Sequence, residues 1–384
     1  MTERPSAHDG IRVRRDGDTF RYFKSGDPAD KTPREFTYRH PYILELEITW
    51  ACNLACPHCY VDAPRACPDE LTLAEIRDVL RDARAAGMLE LSLTGGEVCC
   101  RPDLMDVIAA GREAGFPVRL VTNGTLVTPA IARAWREAGI LLVTVSLDGV
   151  DPAVHDAVRG PGSHAKTLAG LDALTAAGLQ VSLIAAFSRL NLDQLEGLWD
   201  FARARGFGLQ VQMVSGKGRT PRGILLSPEE YHALGERVAA IFAAHPHRIV
   251  PMDDLVTPSN RHPLSLLHRT WQKRCTGGIL NLFVRANGDV TPCSALALPE
   301  NVVGNVRDPG GLSRILDEER CRDNLAWCHA KNLRGACASC PHAGVCHGGC
   351  PDILLTVCRD RFENEYCHHR LETRAITAAL LDPT

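Results

Sequence analysis

Between residues 43 and 244 the sequence repeats one pattern six times: an apolar run typical of a strand, a turn, and an amphipathic helix. The apolar runs are ILELEI, LELSL, FPVRLVT, LLVTVSL, LQVSLIAAF and LQVQMV, and helical periodicity lies near residues 72–86, 103–114, 128–138, 164–178, 192–205 and 228–244. Successive units of this kind predict an α/β fold with a parallel sheet and helices outside it. Because a closed (β/α)8 barrel needs eight units, we expect a partial (β/α)6 TIM-like barrel.

Two of the predicted helices begin with a capping box. Thr72 is followed by Glu75, and Ser227 is followed by Pro228 and Glu230. In this motif the first side chain accepts a hydrogen bond from the backbone N–H three residues later, and the glutamate side chain accepts one from the backbone N–H of the first residue. The two motifs therefore predict where these helices start.

The repeat divides the chain into four segments. Residues 1–41 are a short polar arm, in which IRVRRDGDTFRYF alternates around Asp16-Gly17 and predicts a β-hairpin. Residues 42–244 form the barrel, and the proline-rich residues 245–274 are predicted to be a linker. Residues 275–384 lose the periodicity and are dense in Gly, Pro and Cys, which is typical of a small domain held by metal.

The cysteines indicate metal chemistry and not disulfides. The N-terminus lacks an apolar signal segment, no apolar run is long enough to span a bilayer, and the net charge is −3, so we expect a cytoplasmic protein without nucleic-acid or membrane partners. The cytosol keeps thiols reduced. Of the sixteen cysteines, six lie before residue 101 and ten from residue 275 on, with none between. This distribution predicts two separate metal-binding regions.

Three of these cysteines follow the first predicted strand, in the stretch TWACNLACPHCYVD. Cys52, Cys56 and Cys59 have the spacing C-x3-C-x2-C. A zinc site needs four ligands, and the local candidate for the fourth is His58. Thiolates also hold [4Fe–4S] clusters, one per iron, so that three thiolates leave one iron open. The spacing therefore indicates an iron–sulfur cluster with an open iron, with zinc as the alternative.

Polar or glycine-rich segments follow the next three strands as well. They are TGGE at 94–97, TNGT at 122–125 and SLDG at 146–149. The carboxyl ends of the strands in such a barrel meet at one rim, where active sites lie. We therefore expect these segments and the three cysteines to form one site.

The stretch CNLACPHC at 52–59, together with GGE after the second strand, resembles the radical SAM superfamily. The resemblance implies that Cys52, Cys56 and Cys59 hold a [4Fe–4S] cluster, and that S-adenosylmethionine (SAM) binds its fourth iron. It also implies that Gly95, Gly96 and Glu97 line the SAM amino group. Ser146 and Arg159 would contact the SAM ribose and carboxylate, and Asn123 would lie on the same side of the SAM pocket. From the residues alone, Arg159 is equally well a solvated surface arginine, and ordinary turn chemistry is the rival explanation for Ser146 and Asn123.

The later cysteines, in CTGGILNLFVRANGDVTPC, CASCPHAGVCHGGC and CHHR, resemble the SPASM domain of some radical SAM enzymes. The resemblance implies two auxiliary [4Fe–4S] clusters. One would have the ligands Cys337, Cys340, Cys346 and Cys367; the other would have Cys275, Cys293 and Cys350. The second set lacks a fourth ligand: Cys321, Cys328 or Cys358 supplies it, or the site is open to substrate. A zinc ribbon is the alternative from spacing alone. Cys67, Cys99 and Cys100 receive no role, and packing as small hydrophobes is their default.

The resemblance also implies a reaction. One electron, from a donor such as a flavodoxin or ferredoxin, would cleave SAM to methionine and a 5′-deoxyadenosyl radical, which abstracts a hydrogen atom from the substrate. The expected cofactors are SAM and three [4Fe–4S] clusters, and the expected class is a radical SAM oxidoreductase or maturase. No catalytic side chain is assigned from the sequence.

The substrate is a separate question with three hypotheses. SPASM enzymes most often crosslink or oxidise ribosomally made peptides or proteins, and this is the first hypothesis. Ser294 stands where sulfatase-maturing relatives carry a base aspartate, which argues against that reaction. The second hypothesis is a small molecule, such as a sugar, an amino acid or a haem precursor. The third, of another class, is a non-catalytic iron–sulfur or zinc protein that binds a partner or carries electrons.

Overall fold

The structure is a computed structural model. It describes residues 41–381 apart from 64–66, 246–247, 253, 260–274, 276 and 279, together with the backbone of four short strands within residues 1–40.

The N-terminal arm forms a small antiparallel sheet in the order β1-β2-β3-β4. Its strands are β1 (Arg4–Pro5), β2 (Ile11–Asp16), β3 (Thr19–Lys24) and β4 (Arg34–Phe36). β2 and β3 pair in the register that brings Asp16 opposite Thr19, as the alternating sequence predicts. The intervening turn residues, 17 and 18, lie outside the described residues.

The central sheet is parallel through seven strands, which confirms the predicted α/β class. The strands are β5 (Ile43–Glu47), β6 (Glu90–Thr94), β7 (Val118–Thr122), β8 (Leu142–Ser146), β9 (Val181–Phe187), β10 (Gly208–Met213) and β11 (Ile249–Pro251). The first six are the predicted ones. β11 lies in the segment predicted to be a linker, and its three residues are too few to show a period.

Helices cover this sheet. They are α1 (Leu73–Ala85), α2 (Leu104–Glu113), α3 (Pro129–Glu137), α4 (Pro152–Arg159), α5 (Ser163–Ala176), α6 (Leu195–Ala204) and α7 (Pro228–Ala244). Both capping boxes are confirmed, at Thr72 with Glu75 and at Ser227 with Glu230. α4 was not predicted, although Asp151 caps its start and Pro152 follows, which is a recognisable start signal.

The apolar core lies between the strands and these helices. On β5, Leu44 and Leu46 are fully buried and belong to this core. Successive side chains of a strand point to opposite faces. Glu45 and Glu47 therefore point to the other side of β5, where their partners come from the C-terminal region.

The C-terminal region continues the same sheet. β12 (Asn281–Val284) pairs in parallel with β5, and β13 (Asp289–Thr291) and β14 (Gly304–Asn305) follow in antiparallel order. The helical segments after them are α8 (Gly311–Asp317), α9 (Arg320–Asn324), α10 (Gly335–Ala338), α11 (Ala343–Cys346), a π-helical segment at Ile353–Cys358, and α12 (His368–Leu381). Among the described residues, no helix is both long and apolar enough to cross a membrane.

Candidate functional site

The loop after β5 carries Cys52, Cys56 and Cys59 and lies directly against the segment after β6. Gly96 N donates to Thr49 O at 2.8 Å, and Glu97 N donates to Ala51 O at 2.8 Å. A Cβ atom at Gly95 would lie 2.6 Å from Thr49 O, and one at Gly96 would lie 2.5 Å from Ala51 O. Both positions therefore require glycine, because the two loops touch through their backbones.

The three thiols of this loop share one environment. Cys56 interacts electrostatically with both Cys52 and Cys59, and Leu54 N donates to Cys52 Sγ at 3.4 Å. Burial raises the pKa of Cys52 to about 11. The Cys52 thiol thus holds its proton near neutral pH, and a bound cation would have to displace that proton. Within the described residues, no three His, Cys, Asp or Glu side chains converge tightly enough for a single metal ion.

Arg219, just after β10, holds the cysteine loop in place. Its side chain donates to Ala63 O at 2.9 Å and to Cys56 O at 3.1 Å, and its backbone N donates to Cys59 O at 3.1 Å. The preceding Gly218 has φ of +64°, and a Cβ there would lie 2.3 Å from Cys59 O. Gly218 and Arg219 were not singled out from the sequence, although they also follow a barrel strand, where site residues are expected.

Glu97 joins the second and third rim loops. It is 1% exposed, and its carboxylate accepts from Thr122 Oγ1 at 2.7 Å, from Asn123 N at 2.7 Å and from Cys99 N at 3.2 Å. Burial raises the pKa of Glu97, and these hydrogen bonds oppose the shift. Donors of the protein itself thus satisfy both carboxylate oxygens, and Glu97 holds the second and third rim loops together.

The Asn123 side chain connects the third rim loop to the cysteine loop. Its Nδ2 donates to Asn53 Oδ1 at 2.9 Å, and Asn53 Nδ2 donates to Thr125 Oγ1 at 2.8 Å. Asn53, which sits beside Cys52, was not singled out from the sequence. Ser146, the last residue of β8, is buried on the neighbouring strand.

Arg159 is mostly buried at the end of α4 and is not a solvated surface arginine. Its side chain is 13% exposed, its Nε donates to the buried carboxylate of Asp148, and the Cys56 thiol donates to its backbone oxygen at 3.8 Å. Burial alone would raise the pKa of Asp148, but Arg159 and His58 outweigh it and the pKa is lowered. His58 Nε2 lies 3.9 Å from the same carboxylate. Arg159 therefore places a fixed cation beside the cysteine loop.

A second group of polar side chains, here called the interdomain polar cluster, lies between the barrel and the C-terminal region. It comprises Glu45, Glu47, Tyr60, Lys217 and Ser294. Lys217 Nζ donates to Ser294 O at 2.7 Å and lies 4.8 Å from the centre of the Tyr60 ring, and the Ser294 hydroxyl hydrogen-bonds Glu45. The cluster adjoins Cys59 through Tyr60 and Cys293 through Ser294.

Burial perturbs the charged members of this cluster. It raises the pKa of Glu45 and lowers that of Lys217, with the nearby Asp352 opposing the second shift. Glu47 accepts from Trp50 Nε1 and from Ala286 N, while its Oε1 is buried with no hydrogen-bond partner among the described residues. Perturbed buried charges are typical of functional sites. The sequence signal was present: ILELEI places two glutamates in an otherwise apolar strand.

In the C-terminal region, Cys337, Cys340, Cys346 and Cys367 form one group. The thiols of Cys346 and Cys367 each interact electrostatically with those of Cys337 and Cys340, and with each other. Backbone N–H groups of Asn364 and His342 donate to Cys337 Sγ at 3.3 Å and to Cys340 Sγ at 3.4 Å. The fold thus gathers four thiols from residues up to thirty positions apart.

Cys275, Cys293 and Cys350 form a second group. Cys350 interacts electrostatically with both other thiols, and Gly277 N donates to Cys275 Sγ at 3.4 Å. Burial raises the pKa of Cys293 to about 12. Each group therefore consists of buried or half-buried thiols that share one environment, which is the donor chemistry of a cluster site.

Comparisons with known proteins give separate matches for the barrel and for the C-terminal region. Residues 46–202 match the radical SAM superfamily model, and residues 275–341 match SPASM, an iron–sulfur cluster-binding domain. The chain is a radical SAM enzyme with a SPASM domain. This assignment confirms the predicted enzyme class and the predicted cofactors, [4Fe–4S] clusters and SAM, and it removes the non-catalytic hypothesis.

Curated relatives match this radical SAM enzyme along most of their length. An AdoMet-dependent heme synthase of Methanosarcina barkeri is 29% identical, covering 86% of this chain and 97% of the relative. A PqqA peptide cyclase of Ruegeria pomeroyi is 28% identical, covering 90% and 92%. Among solved structures, Streptococcus suis SuiB bound to S-adenosylmethionine has a TM-score of 0.65 at 18% identity, over 86% of this chain and 77% of SuiB. The last likeness establishes the shared fold.

Proposed function

We propose that this radical SAM enzyme abstracts a hydrogen atom from a ribosomally made peptide or protein and thereby installs a thioether or carbon–carbon crosslink or oxidises a side chain. The observation that carries the proposal is the similarity to the PqqA peptide cyclase over nine-tenths of both chains. The N-terminal sheet supports it: among the described residues, its edge strands β1 and β4 pair with no strand outside that sheet, and an extended peptide can add to a strand edge.

In this proposal, Cys52, Cys56 and Cys59 hold the SAM-binding cluster. The residues fit: three thiols share one short loop, and Gly95 and Gly96 let that loop lie against the next one. Glu97, Asn123 and Ser146 belong to the wall beside it. Arg159, fixed by Asp148, offers its guanidinium to the SAM carboxylate, since a paired, buried arginine is already desolvated and oriented.

When bound, the cluster and SAM supply the 5′-deoxyadenosyl radical that removes a hydrogen atom from the substrate. The C-terminal cysteine groups hold the auxiliary clusters, and a flavodoxin or ferredoxin supplies the electron. The protein's own contribution is to orient the substrate C–H bond and to exclude water.

We assign substrate binding to the interdomain polar cluster. It lies between the cysteine loop and Cys293, and it contains a buried ammonium, Lys217, and a half-buried carboxylate, Glu45. Lys217 would orient a substrate carbonyl or carboxylate. Glu45, whose pKa burial raises, would accept the proton that is released when the new bond closes, and the auxiliary clusters would supply an acceptor for the electron that is released with it.

A second candidate is a haem precursor. It is favoured by the match to the heme synthase, which extends over 97% of that relative. A porphyrin precursor carries propionate groups, and the buried Lys217 suits a carboxylate as well as a peptide carbonyl. The two candidates therefore share one binding site and differ in the substrate.

The test uses anaerobically reconstituted protein with SAM and dithionite. The substrates offered are synthetic peptides translated from short open reading frames beside the gene and, separately, a propionate-bearing porphyrin. We expect about twelve irons, 5′-deoxyadenosine, and a peptide product lighter by two hydrogens. The Cys52/Cys56/Cys59→Ala variant should have about four irons fewer and form neither product. Glu45→Gln should still cleave SAM but yield little crosslinked peptide. Turnover of the porphyrin and of no peptide would overturn the first candidate in favour of the second.

A further inference from the structure

We propose that Cys321 is the fourth protein ligand of the auxiliary cluster that Cys275, Cys293 and Cys350 hold. This rests on the SPASM cluster assignment of the proposed function but not on the peptide substrate. A [4Fe–4S] cluster normally takes one thiolate per iron, so the group is one ligand short. None of the comparisons assigns a role to Cys321, and the sequence alone left it level with Cys328 and Cys358.

Cys321 lies against the loop that begins at Cys275. A Cβ atom at Gly278 would lie 2.6 Å from Cys321 Cβ, and Gly278 itself has φ of +69°. Leu325, which caps the C-terminal end of the same helix, has its Cδ1 3.4 Å from the corresponding position at Gly277. α9 and its capping residue therefore bring Cys321 and Leu325 together against the loop after Cys275.

The same loop brings Cys321 close to Cys293. Gly278 N donates to Pro292 O at 2.9 Å, which ties the loop to the residue before Cys293. The thiols of Cys321 and Cys293 interact electrostatically, and Cys293 in turn interacts with Cys350. Cys321 thus lies near Cys293 and the loop after Cys275, and Cys293 lies near Cys350.

The two other candidates point elsewhere. The Cys328 thiol donates to His347 O at 3.5 Å, and the Cys358 thiol donates to Asn364 Oδ1 at 3.6 Å. Asn364 also contacts Cys337, so Cys358 lies beside the other cysteine group. Neither residue has a contact with Cys275, Cys293 or Cys350 among those that the described residues show.

The competing explanation is that Cys321 only packs. It is 6% exposed and contributes to the apolar core, where free cysteine behaves as a small hydrophobe. Cys328 is the matched control, because it is a cysteine in the same region and is 7% exposed. If Cys321 is a ligand, its removal should change the iron content or the EPR signal, and an added small thiol should restore the signal. If Cys321 only packs, its removal should change neither.

The experiment starts from the reconstituted Cys52/Cys56/Cys59→Ala protein, so that the iron signals come from the auxiliary clusters alone. Cys321→Ala, Cys321→Ser and Cys328→Ala are added to it, and iron, sulfide and EPR spectra of the reduced proteins are compared. We expect about eight irons in the parent and in Cys328→Ala. Cys321→Ala should either lose about four irons or show a changed EPR signal that added 2-mercaptoethanol restores toward that of the parent. Cys321→Ser, nearly isosteric, should keep the fold and shift the signal through an oxygen ligand.

An unchanged iron content and an unchanged EPR signal in both Cys321 variants would overturn the assignment and leave the auxiliary clusters in place. A parent with about four irons or fewer would overturn the assignment together with the two-cluster proposal. Neither result depends on the substrate.

Discussion

The two cysteine regions are built in opposite ways. The barrel loop takes its three cysteines from eight consecutive residues and is fixed from outside, by the backbone of the Gly95–Gly96 segment and by Arg219. The C-terminal groups collect their cysteines from residues 275–367, and two of these, Cys337 and Cys346, lie on helices of only four residues. Such short helices are not stable by themselves.

This difference predicts a different dependence on bound metal. The barrel strands and helices share an extensive apolar core, so the cysteine loop should keep its scaffold without a cluster. In the C-terminal region, buried thiols stand where a small domain would place apolar side chains. Metal binding there should contribute directly to folding.

The largest expected effect tests this contrast by removing ligands from each region. Cys337→Ala with Cys346→Ala should lose about four irons and destabilise the C-terminal region by about 4 kcal/mol or more, as the loss of a metal site can. The Cys52/Cys56/Cys59→Ala variant should lose as many irons but keep its stability. Iron analysis, thermal unfolding and limited proteolysis read by mass spectrometry measure both.

Cys358→Ala is the control, since Cys358 lies beside the first C-terminal group but belongs to neither set. Equal protease resistance of residues 310–381 in the two ligand variants would contradict the proposed difference between the regions.

An intermediate effect is expected where the barrel loop is held from outside. Gly218→Ala places a Cβ 2.3 Å from Cys59 O at a φ of +64°, so the loop must move. We expect 5′-deoxyadenosine formation to fall at least about tenfold, because small displacements of reacting groups are costly. The auxiliary clusters should keep their iron and EPR signals.

Gly206→Ala provides the matched comparison, since Gly206 has φ of +74° but open space around its Cβ position. It should show only the conformational cost of a left-handed alanine, about 1 kcal/mol. If both variants cleave SAM equally well, the contact of Gly218 with the cysteine loop has no role in the site.

The smallest effect concerns an ion pair that joins the two regions. Arg307 pairs with Glu75 at the start of α1 and donates to Asp69 O and Asn287 O at 3.1 Å. Hydrogen bonding by Arg307 lowers the pKa of Glu75 to about 2. Because the two side chains are 37% and 32% exposed, water screens the pair, and Arg307→Ala should cost only about 0.5 kcal/mol in free energy of unfolding.

The pH dependence follows from the lowered pKa. Glu75 is ionised in both the folded and the unfolded chain above its ordinary value of 4.5, so the stabilisation is fully present there and is lost only as the pH falls toward 2. Urea unfolding of wild type and Arg307→Ala should therefore differ by the same amount at pH 6 and pH 8. A difference that changes between these two values would show that other groups titrate with the pair.

Local sequence patterns were sufficient for most of the fold. Six strands, their six long helices and both capping boxes lie where the periodicity and the caps predict, because each is set by neighbours within a few residues. Cysteine spacing and GGE identified the family for the same reason. Up to β11, the elements that were missed are short: β11 has three residues and α4 has eight, too few for a clear period.

The sequence by itself thus determined the α/β repeat, the family and the residue types of the cluster sites. Only the tertiary structure decided which side chains meet. It buried Arg159 against Asp148, brought Lys217 to Ser294 across 77 positions, and set Cys321 rather than Cys328 beside the loop of Cys275. The physical reason is that periodicity reports only whether a side chain faces the core. Its partner across the interface depends on sheet order and on how closely two backbones approach, which no local pattern encodes.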